Sequence, residues 1–284
     1  MGFAVAGGGL VAVVAGGLLV VLSAVGRGPL ARSRSAPRWR LAAGALGALV
    51  AGTAGLVLWV GAHDPHVTWF GPVDVHGPRR GDQVALTFDD GPDPRWSERV
   101  AAVLDERGVD GTFFLVGAAI DRWPEVARRL DDQGHLLGNH AYHHDSWRWL
   151  DPRYPELDRT QRTFARRLDR CPALFRPPHG QRTPFVLSRA DAAGLRTVTW
   201  DVSAEDWSDS DGERVARRIL AGVRPGSIVL LHDGLDGRGD AEVDRSVLLE
   251  ALPLILDGLE ARGLTPVRLD ELLGTDGYLP PDRC

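Results

Sequence analysis

Two carboxylates stand side by side in Thr87-Phe88-Asp89-Asp90-Gly91-Pro92, directly after the apolar run Val84 to Leu86. Neighbouring side chains on a strand point to opposite faces, so the pair belongs where the chain leaves a sheet, and the Gly-Pro that follows supplies the turn. There, one carboxylate can bind a metal while the other handles a proton. Asp-Gly-Pro clusters also make plain turns, so the pair acquires meaning only from its company. In Gly138-Asn139-His140-Ala141-Tyr142-His143-His144, His140 and His144 stand four apart. On one helical turn they share a face, which suits two imidazoles converging on one cation, with His143 as a rival ligand. In Phe175-Arg176-Pro177-Pro178-His179-Gly180 the prolines stiffen the backbone and hold Arg176 where its planar fork can grip a carboxylate. Trp200 to Trp207 mixes acids with tryptophans that can wall a sugar site, and Ile228 to Leu231 delivers His232 to the end of the most hydrophobic run, well placed to carry protons.

All five segments put titratable residues immediately after strand-like runs, which is what a strand-end active site requires. The runs are Val84 to Phe88, Thr112 to Val116, His135 to Asn139, Arg196 to Trp200, Ser227 to Leu231 and Thr265 to Arg268, with a short apolar approach at Phe175. Between them lie amphipathic helical stretches at Ser97–Arg107, Glu125–Asp132, Glu156–Leu168, Phe185–Ala193, Asp211–Ala221 and Asp244–Ala261. Such alternation predicts an α/β fold with a mostly parallel sheet, here an irregular barrel of about seven strands.

The chain of 284 residues divides before that domain begins. Residues 3–25 and 41–62 contain no charged residue, and each stretch as a helix is long enough to cross a bilayer core of roughly 30 Å. The loop between them, 26–40, carries Arg27, Arg32, Arg34, Arg38 and Arg40 and no acid, so it is expected in the cytoplasm, with the rest of the chain outside. A competing view makes the second stretch a signal peptide cleaved after Val60-Gly61-Ala62; both export the domain. Residues 63–82, rich in Pro and Gly, read as a linker, and 83–284 as the catalytic domain. All 33 basic residues are arginine, and beyond Ala62 the 38 acids outnumber the bases by ten. That balance argues against nucleic acid or anionic lipid as a ligand and favours a neutral polymer. Cys171 and Cys284 are too few for a disulfide framework, although an exported site permits a bond between them.

In order and spacing the five segments resemble the polysaccharide deacetylase family, the NodB-homology domain of carbohydrate esterase family 4, over Gln83 to Leu273. The resemblance implies a distorted (β/α) barrel and metal-dependent removal of acetyl groups, most often from N-acetylglucosamine polymers. Position by position, it implies Asp89 as catalytic base, Asp90, His140 and His144 as ligands of a divalent metal, Arg176 as the group orienting the base, and His232 as catalytic acid. The metal is expected to be Zn²⁺, with Co²⁺ or Mn²⁺ able to use the same ligands. Pro178, His179, Gly180, Trp207 and Leu230 fall at substrate-side positions, a backbone N–H near His179 serving as oxyanion donor. Ala141 and His143 replace the usual Thr or Ser, and Ser203 replaces the first Asp of D-x-x-D-W, which leaves Asp201 and Asp206 as candidate partners of His232, with Asp206 preferred. Location points to the cell's own envelope polysaccharide, peptidoglycan or a chitin-like oligomer. Rival readings are a deacetylase or deformylase of a lipid-linked sugar, a xylan O-deacetylase, and a non-catalytic glycan-binding relative; no protein partner can be inferred from the sequence.

Overall fold

The computed structural model describes residues 38–239 and 243–284. The chain separates into two compact units, the first ending at Val60 and the second running from Gly61 to Cys284. The helix Arg38–His63 lies in the first unit as far as Val60; its stretch Ala42–His63 has a mean hydropathy of 1.9 and is exposed or half-buried up to Val60, with Gly61 and Ala62 buried. Leu46, Leu49, Val50, Leu56, Val57 and Leu58 all stand exposed. At 22 residues the stretch is about 33 Å long, enough for a hydrocarbon core. It is the one helix of that kind among the described residues; the expected span 3–25, and the arginine-rich loop as far as residue 37, lie outside them.

In the second unit the strands are β1 (Gln83–Asp89), β2 (Thr112–Leu115), β3 (Leu136–Asn139), β4 (Leu174–Phe175), β5 (Arg196–Thr197), β6 (Val202–Ser203), β7 (Ile228–His232) and β8 (Thr265–Pro266). Seven run side by side in the order β5-β4-β3-β2-β1-β7-β6, all parallel, and β8 pairs only with the first residues of β1. The row curls into a half-barrel whose ends, β5 and β6, share no ladder among the described residues. Because every strand is parallel, every carboxyl end lies on one rim, and helices must carry the chain back each time.

Side-chain parity decides what reaches that rim. Val84, Leu86 and Phe88 of β1 join the outer core with Leu115, Val229 and Leu231, packed against the helices Ser97–Asp105, Gly212–Gly222 and Ser246–Glu260. Ala85 faces inward with Phe114, Leu136, Leu174 and Ile228. Burying each large outer side chain contributes roughly 1.5–3 kcal/mol, so a one-residue slip that exchanged the two faces would cost several kcal/mol. Counting in twos from the inner set leads to Asp89, His140, Arg176 and His232 at the rim.

The expected strand Arg196–Trp200 is laddered for two residues only, because Val198 bridges to Asp74 instead. Sequence periodicity also passes over two short helices, Gly117–Arg122 and Leu269–Leu273. Cys171 and Cys284 are joined in a disulfide that ties the last residue back to the start of the β4 approach.

Candidate active site

Asp89 ends β1 on its inner face, and regular strand geometry would turn Asp90 outward. Asp90 instead adopts φ 77°, a left-handed conformation that swings its carboxylate back into the barrel mouth. Asp90 Oδ1 thus lies 3.1 Å from His144 Nε2 and 3.4 Å from His140 Nε2, while Asp89 Oδ2 is 3.7 Å from His140 Nε2. Gly91 must follow, since a Cβ there would collide with the buried carboxylate of Asp233. Ala141, His179, Glu205 and Asp236 are left-handed as well, each in a loop at the same rim. Strained backbone of this kind costs about 1–3 kcal/mol per residue and survives where surrounding contacts over-determine it.

The ligand atoms of Asp90, His140 and His144 lie within 4.8 Å of one another. Asp90 Oδ1 and His140 Nε2 are buried without a hydrogen-bond partner. Leaving such a group unsatisfied costs about 1–3 kcal/mol, and more when it is charged, so their convergence fits a bound divalent cation. Two nitrogens and one oxygen with room for further ligands is a donor set suited to hydrolytic zinc. Burial would push the Asp90 carboxyl up, but His144, His140 and His232 more than offset it and hold it well below the ordinary carboxylate range.

The two histidines do not share a helical face as their spacing suggests. His140 directly follows β3, the left-handed Ala141 breaks any helix there, and Asn139 Oδ1 accepts the Ala141 N–H at 2.9 Å. His140 Nδ1 is 2.7 Å from the Arg176 carbonyl, which as an acceptor sets the tautomer that leaves Nε2 for a cation. His144 Nδ1 is 2.8 Å from Asp236 Oδ1, a close ion-pair contact whose oxygen lies off the ring N–H axis. Asp236 was invisible in the sequence, being one more acid in a glycine-rich turn. His143 turns away from the ligand group: its backbone N–H and Nδ1 both lie 2.9 Å from Glu156 Oε2.

Arg176 is fully buried, with Nη1 donating to Asp89 Oδ1 at 2.7 Å and Thr87 Oγ1 at 2.8 Å, and Nη2 donating to the Thr199 carbonyl at 3.0 Å. Its guanidinium lies 4.2 Å from the centre of the Phe114 ring. This grip occupies Asp89 Oδ1 and leaves Oδ2 directed toward the histidines. Across the mouth, His232 Nδ1 is 2.9 Å from Asp206 Oδ1, and the His232 amide donates to Asp206 Oδ2 at 2.9 Å. Burial lowers the His232 pKa, but the Asp206 carboxylate, helped by Asp90 and Asp89, outweighs it and raises the value to about 9. The other candidate, Asp201, instead accepts from the Ile228 amide, Ser227 and Arg79 at the opposite end of β7. Ser203 points away, its Oγ accepting the Glu205 N–H at 3.4 Å.

The remaining rim is formed by the tight turn Pro178–Gly180, by Trp207, 38% exposed, and by Leu230, two residues before His232 on the same strand face. The His179 ring stands edge-on to His144 with centroids 4.3 Å apart, and burial followed by the charge of His144 lowers its pKa to about 4. It is therefore neutral near pH 7. A cavity of about 520 Å³ opens beside His144, with Arg122, Arg148, Arg238, Asp145 and Asp236 around it.

The parallel half-barrel gathers these groups on one rim, and comparison with known proteins gives the class to which such a rim belongs. Residues 76–198 match the family model described as polysaccharide deacetylase. A peptidoglycan-N-acetylglucosamine deacetylase of Bacillus cereus is 30% identical over 201 residues, covering 70% of this chain and 71% of the relative. A chitooligosaccharide deacetylase of Bradyrhizobium sp. is 35% identical over 199 residues, covering 67% and 89%. The chain belongs to the polysaccharide deacetylase family and is an enzyme of that class. The crystal structure of the Bc1960 peptidoglycan N-acetylglucosamine deacetylase superposes with a TM-score of 0.66 at 27% identity, covering 73% of this chain and 95% of that one.

Proposed function

We propose that the enzyme hydrolyses N-acetyl groups from N-acetylglucosamine units of peptidoglycan, outside the membrane in which its apolar helix is anchored, releasing acetate and a free amino sugar. The observation that carries this reading is the division of the Asp89-Asp90 pair, one carboxylate gripped by Arg176 and the other facing two imidazoles. Asp90, His140 and His144 would hold a divalent cation, Zn²⁺ by its donor set, with Co²⁺ or Mn²⁺ also accommodated. When bound, that cation polarises the acetyl oxygen and acidifies water. Asp89, through Oδ2, takes the proton of the attacking water as the C–O bond forms. The backbone N–H of His179 donates to the oxygen on which charge develops. His232, as imidazolium, hands its proton to the sugar nitrogen as the C–N bond breaks, because an amide anion is too basic to leave unprotonated. Asp206 holds that imidazolium in place, and Trp207 and Leu230 wall the sugar.

Arg122, Arg148 and Arg238 suit the free carboxylates on the peptide stems of peptidoglycan, although Arg148 also pairs with Glu156 at 3.2 Å, and Asp145 and Asp236 share the rim. The full chain in detergent, given peptidoglycan fragments, chitooligosaccharides and acetylxylan, should release acetate from the first two and have its highest kcat/KM on peptidoglycan. Absence of acetate from all three, with zinc bound, would sink the reading and favour a lipid-linked sugar as substrate.

A further inference from the structure

The stretch 63–82, expected as a linker, is bonded into the barrel, and two buried side chains connect its first half to the reacting groups. Arg182 is buried at 1% exposure, and its guanidinium donates to backbone carbonyls: Gly180 at 2.7 Å, Asp64 at 2.7 Å, and Val67. Its own amide donates to the Ala62 carbonyl at 3.0 Å. A buried guanidinium is costly to desolvate, and spending it on main chain makes sense where the position of that main chain matters. Gly180 belongs to the turn that presents His179, so this arginine clamps 62–67 to the substrate-side loop.

Thr199 makes the second connection. Its Oγ1 donates to the Pro65 carbonyl at 2.8 Å, its amide donates to the Asp74 carbonyl at 2.9 Å, and its own carbonyl accepts Arg176 Nη2 at 3.0 Å. The Asp74 amide donates to the Thr197 carbonyl at 3.0 Å, so 74 pairs alongside Val198 as a one-residue parallel strand at the otherwise unpaired edge of β5. The Asp74 carboxylate is in turn held by Arg196, Nη2 donating at 2.9 Å.

We propose that residues 62–74, which precede the family match beginning at residue 76, are a working wall of the active site, with Arg182 and Thr199 as positioning residues that register the His179 loop and the Arg176–Asp89 pair. The inference extends the deacetylase reading: the His179 loop and the Arg176–Asp89 pair are both set from one segment. Because a displacement of about 1 Å at a reacting group can cost about a hundredfold in rate, loss of either connection should act on kcat.

The test uses the full chain in detergent. Arg182→Met should lower kcat on chitooligosaccharide at least tenfold while KM and zinc affinity stay within threefold, and Arg182→Lys should recover part of the loss. Thr199→Val, nearly isosteric, should lower kcat about threefold to tenfold. Amides 179–182 should exchange with deuterium at least tenfold faster in Arg182→Met, with those of β1 unchanged. Parent-like kcat in both variants, or unchanged exchange at 179–182, would overturn the proposal. Should Arg182→Met lose zinc and β1 protection together, it has unfolded and Thr199→Val decides: a parent-like kcat there overturns the proposal. The exchange arm also reads when no substrate is turned over, so failure of the deacetylase reading remains distinguishable.

Discussion

On the metal side of the rim, Asp90 Oδ1 and His140 Nε2 are buried with no hydrogen-bond partner, whereas on the acid side His232 and Asp206 satisfy each other through two contacts of 2.9 Å. The first half is incomplete as protein alone. The second is satisfied by its own two members, and Asp206 is the main group that raises the His232 pKa, with Asp90 and Asp89 adding to it. The contrast teaches that mutations on the metal side should be read as ligand losses, and those on the acid side as shifts in the pH at which the enzyme works.

The sharpest way to break this comparison is Asp90→Ala. It should weaken zinc binding by about three orders of magnitude and abolish turnover, as measured by calorimetry and acetate release. Zinc affinity close to that of the parent would show that Asp90 is no ligand. Asp89→Asn should separate the adjacent carboxylates: kcat falls by about a factor of a thousand while zinc affinity changes little. If most activity survived in that variant, Asp89 would not be the base.

Asp206→Asn tests the acid side. The folded pKa of His232, about 9, lies above its ordinary 6.5, so the stabilisation from its protonated form is fully present below pH 6.5 and is lost as pH rises through about 9. If His232 is the acid, the alkaline limb of kcat should follow the same group, at a somewhat lower pH with a cation beside Asp90. With the Asp206 charge removed, burial dominates, and the limb should move down by at least one pH unit, with zinc affinity unchanged. An unmoved limb would detach His232 from the acid role. The smallest effect expected is that of Asp236→Asn, which replaces the carboxylate beside His144 Nδ1 and should weaken zinc about tenfold, leaving the pH profile in place. No change in zinc affinity would make that contact incidental.

Much of the site was legible because strand parity is a local property. Once Val84, Leu86 and Phe88 are taken as one face, Asp89 must join Ala85 on the other, and the same count carries Ile228 through Leu230 to His232. The outer helices announced themselves by their spacing. Strand β6, two residues long, is too short for any periodicity to register, so the open seam between β5 and β6 could not be foreseen. Nor could a spacing of four tell a helical turn from the irregular loop that carries His144. The sequence prefers Asp206 to Asp201, equal in type and close in position, and the path of the chain through the left-handed Glu205 brings Asp206 to His232.

The sequence by itself determined which chemistries were available, which residues face the barrel interior, and that the stretch Ala42–His63 is apolar throughout, because these depend on side-chain type and on backbone repeats only a few residues long. Tertiary structure alone decided that Asp90 turns back to lie beside Asp89, that Asp206 meets both the ring and the amide of His232, and that 62–74 is bonded to the barrel rather than free of it. Each of those outcomes rests on contacts between segments far apart in the chain, such as Arg182 with Asp64, whose energies exist only once both partners have been brought together.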